Sequence, residues 1–227
     1  MTTTLSVDIG SPIPLGTHKR DGGINFALFS RHATRVWLEL FAGPEETTPS
    51  AILELDPSIH HTGDIWHIRV KGIAEGQLYA FRAHGPYRPQ QGHRFNRNIL
   101  LLDPYAMALQ GTSRWDFKKA RGYNLRSSLK DLSYSKEDNA GHSPKCLIVD
   151  GGFDWQGDRP LKLHWSDTII YETHVRGLTI HPPSAFNHPG TFLGVIEKIP
   201  YFKQLGATAL ELMPVQEFNQ DELERLN

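Results

Sequence analysis

The chain has 227 residues, which at about 150 residues per domain allows one or two domains. Its 24 basic residues balance its 25 acidic residues, giving a net charge of -1 and a pI near 6.9. The lack of a basic excess argues against nucleic acid as a partner, and 39% hydrophobic residues can build an apolar core. The single cysteine, Cys146, excludes an internal disulfide, and we expect a free core thiol in a reducing cytosol.

The sequence offers no targeting or membrane signal. Residues 1–8 have neither a cationic start nor an apolar segment, so they do not predict a secretory leader. The longest apolar runs are only a few residues, far below the roughly 20 that a membrane helix needs. We therefore expect a cytoplasmic protein without a membrane partner.

Short β-rich runs separated by turn residues fill the first half of the chain. They predict strands at 24–29, 35–41, 51–55, 65–70 and 77–84. The polar stretch 30–34 predicts a hairpin between the first two, and Gly-Pro, Asp-Pro and Lys-Gly pairs mark other turns. Strands at this spacing, without a long helical pattern, predict an immunoglobulin-like antiparallel β-sandwich over 12–105.

Residues 106–165 predict an irregular linker. The stretch 110–145 is polar and aperiodic, which is typical of a long surface excursion. Within the linker, residues 145–149 are a candidate for one more buried strand.

A different pattern begins at residue 166. Residues 168–175 predict a strand buried on both faces, and apolar residues three apart over 196–205 predict a helix that ends at Gly206. Pro200 means that this helix either starts near it or kinks there. A second apolar strand over 207–215 completes a β-α-β unit, which requires a parallel sheet.

This unit cannot be stable on its own. Two parallel strands and one helix leave both sheet edges unpaired and one sheet face bare. We therefore expect 166–227 to be part of a larger sheet, and the chain to be incomplete.

Several segments resemble glycogen debranching enzymes and isoamylases of glycoside hydrolase family 13. Pro14-Leu15-Gly16 and residues 23–30 resemble the start of a family 48 carbohydrate-binding module. Residues 79–87, with Gly92-His93-Arg94-Phe95-Asn96 and residues 101–106, are similar to the end of that module.

The second half carries the same resemblance. Residues 170–177, Ile-Tyr-Glu-Thr-His-Val-Arg-Gly, and residues 205–215 resemble the first two strands of the catalytic barrel. The fold that the resemblance implies is a β-sandwich followed by the first β-α-β of an incomplete (β/α)₈ TIM barrel. The linker 106–165 would then pack on the barrel.

The resemblance implies hydrolysis of α-1,6 branch links in glycogen or a similar α-glucan, with retention and without a redox cofactor. In the family that the chain resembles, the nucleophilic Asp, the acid/base Glu and a third Asp lie on barrel strands four, five and seven. This sequence reaches only the first two strands, so we assign no catalytic residue here. Glu172 and Glu211 are interpreted as structural, and Asp154 and Asp158 as a solvated turn. The alternative is a non-catalytic glucan-binding or regulatory module, or a truncated gene product without activity.

The loop after the second strand is a candidate metal site. Glu217 is a candidate calcium ligand in an acidic loop with Asn219 and Asp221, and oxygen donors suit Ca²⁺. A solvated loop explains the same residues, so we assign no metal, although the full-length parent could hold calcium. Histidine pairs such as His60-His61 are interpreted as loop residues rather than zinc ligands.

Aromatic side chains could stack on sugar rings. Trp37 and Tyr79 fall within predicted strands, where core packing is the simpler interpretation. Trp66 follows the turn Gly63-Asp64, so we expect it to be more exposed, and it is the one candidate substrate-binding residue.

Overall fold

The computed structural model describes residues 5–181 and 186–216. The chain forms two compact units, Met1–Phe153 and Asp154–Asn227. Glu217 and the rest of the candidate calcium loop lie outside the described residues. Within the described part of the chain, no helix is long and apolar enough to span a membrane.

The first unit consists almost entirely of strands. They are β1 (Ser6–Asp8), β2 (Gly16–Arg20), β3 (Gly23–Phe29), β4 (Arg35–Phe41), β5 (Ala51–Leu55), β6 (His61–Thr62), β7 (Ile65–Lys71), β8 (Leu78–His84), β9 (Tyr87–Arg88), β10 (His93–Arg94), β11 (Ala108–Gln110) and β12 (Lys145–Leu147). Short 3-10 helices lie at Pro89–Gln91, Thr112–Arg114, Lys119–Arg121, Lys130–Leu132 and Ala140–His142.

Two antiparallel sheets face each other. The first has the order β1-β7-β3-β2, with β6 also paired to β7, and the second has the order β11-β12-β8-β4-β5. One apolar cluster joins residues of both sheets, including Phe26 and Ile68 from the first and Leu38 and Phe81 from the second. The predicted antiparallel β-sandwich is thereby confirmed.

The predicted hairpin between residues 24–29 and 35–41 is wrong. Both strands form, but β3 pairs with β2 and β7 in one sheet while β4 pairs with β5 and β8 in the other. The linking residues cross between the sheets, where Ala33 is buried and the Thr34 N–H bonds to the His84 carbonyl of the second sheet. Each strand has an apolar face, and packing the two faces against each other buries more surface than edge pairing would.

Strand β2 was not expected from the sequence. It pairs with β3 through a turn at Asp21 and Gly22, both of which have positive φ. An Asp-Gly pair is a strong hairpin signal, but β2 is too polar to show as a strand by hydrophobicity. In the irregular segment, β12 confirms the strand expected near residue 145, and β11 pairs with it at the end of the second sheet.

The second sheet is covered on its outer face as well. Phe41, Leu78 and Ala80 point away from the main core and pack against Leu100 and Ala140. The Asn139 side chain accepts a hydrogen bond from the Leu100 N–H at 2.6 Å, which ties the two covering segments together. Strands β4 and β8 are therefore buried on both faces.

The second unit is a parallel β-α-β unit, as predicted. Its elements are a 3-10 helix (Trp165–Asp167), β13 (Ile170–Thr173), α1 (Val175–Thr179), α2 (Phe192–Glu197), α3 (Ile199–Leu205) and β14 (Ala209–Leu212). Strands β13 and β14 pair in parallel. The helical segment is interrupted at Lys198, with Pro200 in the first turn of α3, and Gly206 ends α3 at φ 82° as expected.

The prediction that the strand at 168–175 is buried on both faces is wrong for this structure. Ile169 is 56% exposed and Ile170 is 50% exposed, and Glu172 is exposed too. Helix α3 covers the face of β13 that carries Tyr171, whose ring lies 4.9 Å from that of Phe202. The opposite face, which carries Ile170 and Glu172, stays exposed within the described second unit. Apolar side chains that stay in water contribute none of the favourable free energy that their burial would give.

Candidate carbohydrate-binding surface

The expectation of an exposed Trp66 is wrong. Its side chain is 1% exposed, its ring stacks on His61 at 4.5 Å, and its Nε1–H donates to the Ser30 carbonyl at 3.1 Å. The turn before it is polar, but β7 begins at Ile65, so position 66 falls on the inward face of the strand. A ring enclosed in this way cannot stack on a sugar.

Tyr79 lies in the core, as its position in a strand predicted. It has no exposed surface, and its hydroxyl donates to Asp103 Oδ2 at 2.8 Å. Burial raises the pKa of Tyr79 above its ordinary value, so the phenol remains protonated. The hydrogen bond to Asp103 gives this buried hydroxyl the partner that it needs.

Trp37 is the one ring of the three that solvent reaches. It lies half-buried on the outer face of β4, rather than in the core that its strand position predicted. The guanidinium groups of Arg35 and Arg97 lie 5.2 and 5.5 Å from its ring centroid. Arg35 also forms an ion pair with Glu54 at 2.6 Å. Two guanidinium groups already form cation–π contacts with this ring, so a sugar that stacks on it would have to displace at least one of them.

An ionic network that includes the buried residues Arg82 and Glu39 lies beside Trp37 on the same face. Arg82 bonds to Glu39 at 2.9 Å and to Asp138 at 3.0 Å. Burial raises the pKa of Glu39, and the Arg82 charge opposes that shift. The network connects β4 and β8 to the segment that covers them, so we interpret it as structural.

The acidic residues singled out in the sequence, Asp154, Asp158, Glu172 and Glu211, are all exposed on the second unit. Glu172 and Glu211 are exposed neighbours in register on β13 and β14. No group of three or more His, Cys, Asp or Glu side chains in the described part of the chain could hold a metal ion. His60 is buried, and its Nδ1 accepts the Asp56 N–H at 3.0 Å, which makes it part of the fold.

The sequence pattern did not reveal a polar groove of about 760 Å³ on the first unit. It lies between residues 116–126 and 134–137, in the segment predicted to be an irregular linker. Two tyrosines, Tyr123 and Tyr134, line it among charged and amide side chains. The only feature of the sequence that could have indicated this groove is the presence of two aromatic residues in a polar, aperiodic stretch.

Comparison with protein families gives a match for the first unit. Residues 14–106 match the family model "Carbohydrate-binding module 48 (Isoamylase N-terminal domain)", which spans most of the sandwich. This part of the chain is therefore similar to carbohydrate-binding modules of family 48, as the resemblance implied.

The similarity continues beyond the module. The chain is 44% identical over 225 residues to a glycogen debranching enzyme of Yersinia enterocolitica, and 43% identical over 221 residues to that of Serratia proteamaculans. These alignments cover 98% and 96% of this chain, and 31% of each relative. The chain is thus homologous to part of the glycogen debranching enzymes, and it spans about a third of their length.

Solved structures agree with the fold. A pullulanase from Paenibacillus barengoltzii superposes with a TM-score of 0.63 at 20% identity, over 96% of this chain and 29% of that chain. A pullulanase from Bacillus acidopullulyticus gives a TM-score of 0.61 at 23% identity, over 91% of this chain and 22% of that chain.

Proposed function

We propose that this chain is the N-terminal part of an enzyme that hydrolyses α-1,6 branch links in glycogen or a similar α-glucan. The observation that carries the proposal is the 44% identity to a glycogen debranching enzyme along 98% of the chain. Because the similarity extends far past the module at 14–106, a free-standing glucan-binding or regulatory module is not favoured.

In this proposal, residues 166–227 begin the catalytic (β/α)₈ barrel. The parallel pair β13 and β14, connected through helices, is the repeating unit of such a barrel. The exposed apolar residues Ile170 and Leu210 would then face further strands and helices of the complete enzyme. The module would associate with the glucan or support the barrel.

Catalysis would depend on carboxyl groups outside this sequence. Retaining glycosidases need a nucleophile and an acid/base about 5–5.5 Å apart, held at the C-terminal ends of barrel strands. By resemblance these groups lie on strands four, five and seven, whereas β13 and β14 would be strands one and two. We assign no catalytic role to Glu172 or Glu211, and we propose a cytoplasmic enzyme that needs no redox cofactor.

A chimera tests the proposal directly. This chain would replace the matching segment of the Yersinia enterocolitica enzyme, and release of reducing ends from glycogen would be measured. We expect a rate within about tenfold of that of the parent enzyme, because a related segment should restore the missing module and the first strands of the barrel. The parent with the segment deleted is the control. A folded chimera as inactive as the deletion would contradict the proposal.

A further inference from the structure

The polar groove on the first unit brings three kinds of side chain together. It holds about 760 Å³, within the range of clefts that bind small ligands. Its cations are Lys118, Lys119, Arg126 and Lys136, and two carboxylates and two tyrosine rings line it as well. With four basic and two acidic side chains, the groove has a formal charge of +2. It lies outside residues 14–106, which match the family 48 model.

The groove walls are fixed by hydrogen bonds from buried side chains. Asn96, 6% exposed, donates from Nδ2 to the Gly122 and Ser135 carbonyls, both at 2.9 Å. The Ser133 hydroxyl accepts the Asn124 N–H at 3.0 Å, and the Ser135 N–H bonds to the Gly122 carbonyl. The two walls are thereby held in place before any ligand arrives, which lowers the entropy cost of binding.

The four cations keep their charge available to a ligand. In the described part of the chain, none of them forms an ion pair with a carboxylate. Lys119 donates from Nζ to His142 Nε2 at 2.7 Å, and this acceptor carries no negative charge. In the sandwich, by contrast, Arg35 and Arg82 each form an ion pair with a glutamate. A cleft with an excess of unpaired cations attracts an anion.

The two tyrosine rings give the groove an aromatic part beside the cations. Tyr134 is 37% exposed, and its ring is held by an edge contact with Tyr87 at 4.9 Å between centroids. Tyr123 is half-buried, and its hydroxyl accepts a hydrogen bond from Arg121 at 3.2 Å. Planar bases stack on aromatic side chains of this kind. The groove therefore suits an anion that also carries a planar ring.

The two carboxylates suit a third group on the same ligand. Asp116 and Glu137 accept hydrogen bonds and cannot donate them when ionised. Asp116 Oδ1 already accepts the Lys118 N–H at 2.9 Å, which fixes that side chain in the groove. Carboxylates repel a phosphate but accept from ribose hydroxyls, as they do in dinucleotide sites.

We propose that this groove binds a nucleoside phosphate. The phosphate lies among the cations, the base stacks on a tyrosine ring, and the ribose hydroxyls donate to the carboxylates. An uncharged ligand would leave the four cations without a counter-charge, and inorganic phosphate would leave the rings without a contact. The proposal does not depend on the debranching activity proposed above.

The test is calorimetric titration of the full 227-residue chain with adenosine 5′-monophosphate. Adenosine, which lacks the phosphate, and inorganic phosphate, which lacks the base, are titrated in parallel. Each should bind at least about fivefold more weakly than the nucleotide, because each loses one kind of contact. High salt should also raise the Kd of the nucleotide, because it screens the attraction between exposed charges.

Single substitutions separate the contributions of charge and ring. Lys136→Gln should raise the Kd of the nucleotide about threefold, and Tyr123→Ala should raise it about fivefold. Lys203→Gln removes the same charge from an exposed position on the second unit. Tyr105→Ala removes a ring that is 55% exposed and lies outside the groove. Both controls should leave the Kd unchanged, and circular dichroism melts verify that every variant is folded.

Four results would each overturn the proposal. The first is an absence of nucleotide binding by the unmodified chain. The second is binding of adenosine or inorganic phosphate as tight as that of the nucleotide. The third is a Kd that does not change with salt. The fourth is an equal effect on the Kd from the groove variants and from their matched controls.

Discussion

At the scale of single residues, buried polar groups hold the sandwich to the segments around it. Lys145 has no exposed surface, and its Nζ donates to the Ala140 and Ser143 carbonyls at 2.6 and 2.9 Å. Burial lowers the pKa of Lys145, and the carbonyls, together with the Phe41 ring at 4.8 Å, offset part of the desolvation. A lysine enclosed in this way fixes β12 to the covering segment.

The Tyr79–Asp103 bond is a second such contact, and it predicts a measurable cost. Tyr79→Phe keeps the ring in the core but leaves the Asp103 carboxyl, 4% exposed, without this donor. We expect a loss of about 1–2 kcal/mol in the free energy of unfolding, measured by urea denaturation. Tyr105→Phe removes an exposed hydroxyl and should change little. An equal effect from both variants would count against a structural role for the buried bond.

Side-chain burial was predictable only in part from strand position. A place within a strand correctly predicted that Tyr79 lies in the core, but the same argument misplaced Trp37, which is half-buried on the outer face of β4. Trp66 was misplaced because the polar turn before it was weighed above its phase in β7. Cys146 was expected as a core thiol, and it is fully buried, with burial raising its pKa to about 12.

At the scale of elements, composition located the strands but not their partners. The run at 35–41 coincides with β4, and Gly206 ends α3 where a left-handed glycine was expected. The crossing from β3 to β4 was not predictable from local residues, because each strand also pairs with a partner far away in the sequence, β3 with β7 and β4 with β8. Strand β2 is polar, so only the Asp21-Gly22 turn indicated it.

The Asp21-Gly22 turn predicts that backbone strain at Gly22 would lower the stability of the protein. Gly22 has φ 74°, and a Cβ there would meet no atom within 4 Å, so Gly22→Ala introduces backbone strain without a clash. We expect a loss of about 1 kcal/mol in unfolding free energy by urea denaturation. Gly43→Ala is the control, since its φ is not in the left-handed region and its nearest neighbour is the Glu46 side chain at 3.6 Å. If Gly22→Ala proved as neutral as Gly43→Ala, the strain would be absent.

At the scale of the whole molecule, the sequence was sufficient to predict a sandwich followed by a parallel β-α-β unit. The groove could not be predicted, because its walls meet only through distant contacts such as those of Asn96 with Gly122 and Ser135. The exposure of Ile169 and Ile170 could not be predicted from the sequence either. Together these features agree with the proposal that this chain carries a carbohydrate-binding module and the start of a catalytic barrel.

The central proposal is that these 227 residues form a supporting part of a debranching enzyme and hold none of its catalytic carboxylates. The most direct measurement is the release of reducing ends from glycogen by the purified chain alone. We predict no release above that of buffer, even at high protein concentration. Debranching that rises in proportion to the amount of chain, and that is lost when Glu172 or Glu211 is changed to Gln, would contradict the claim.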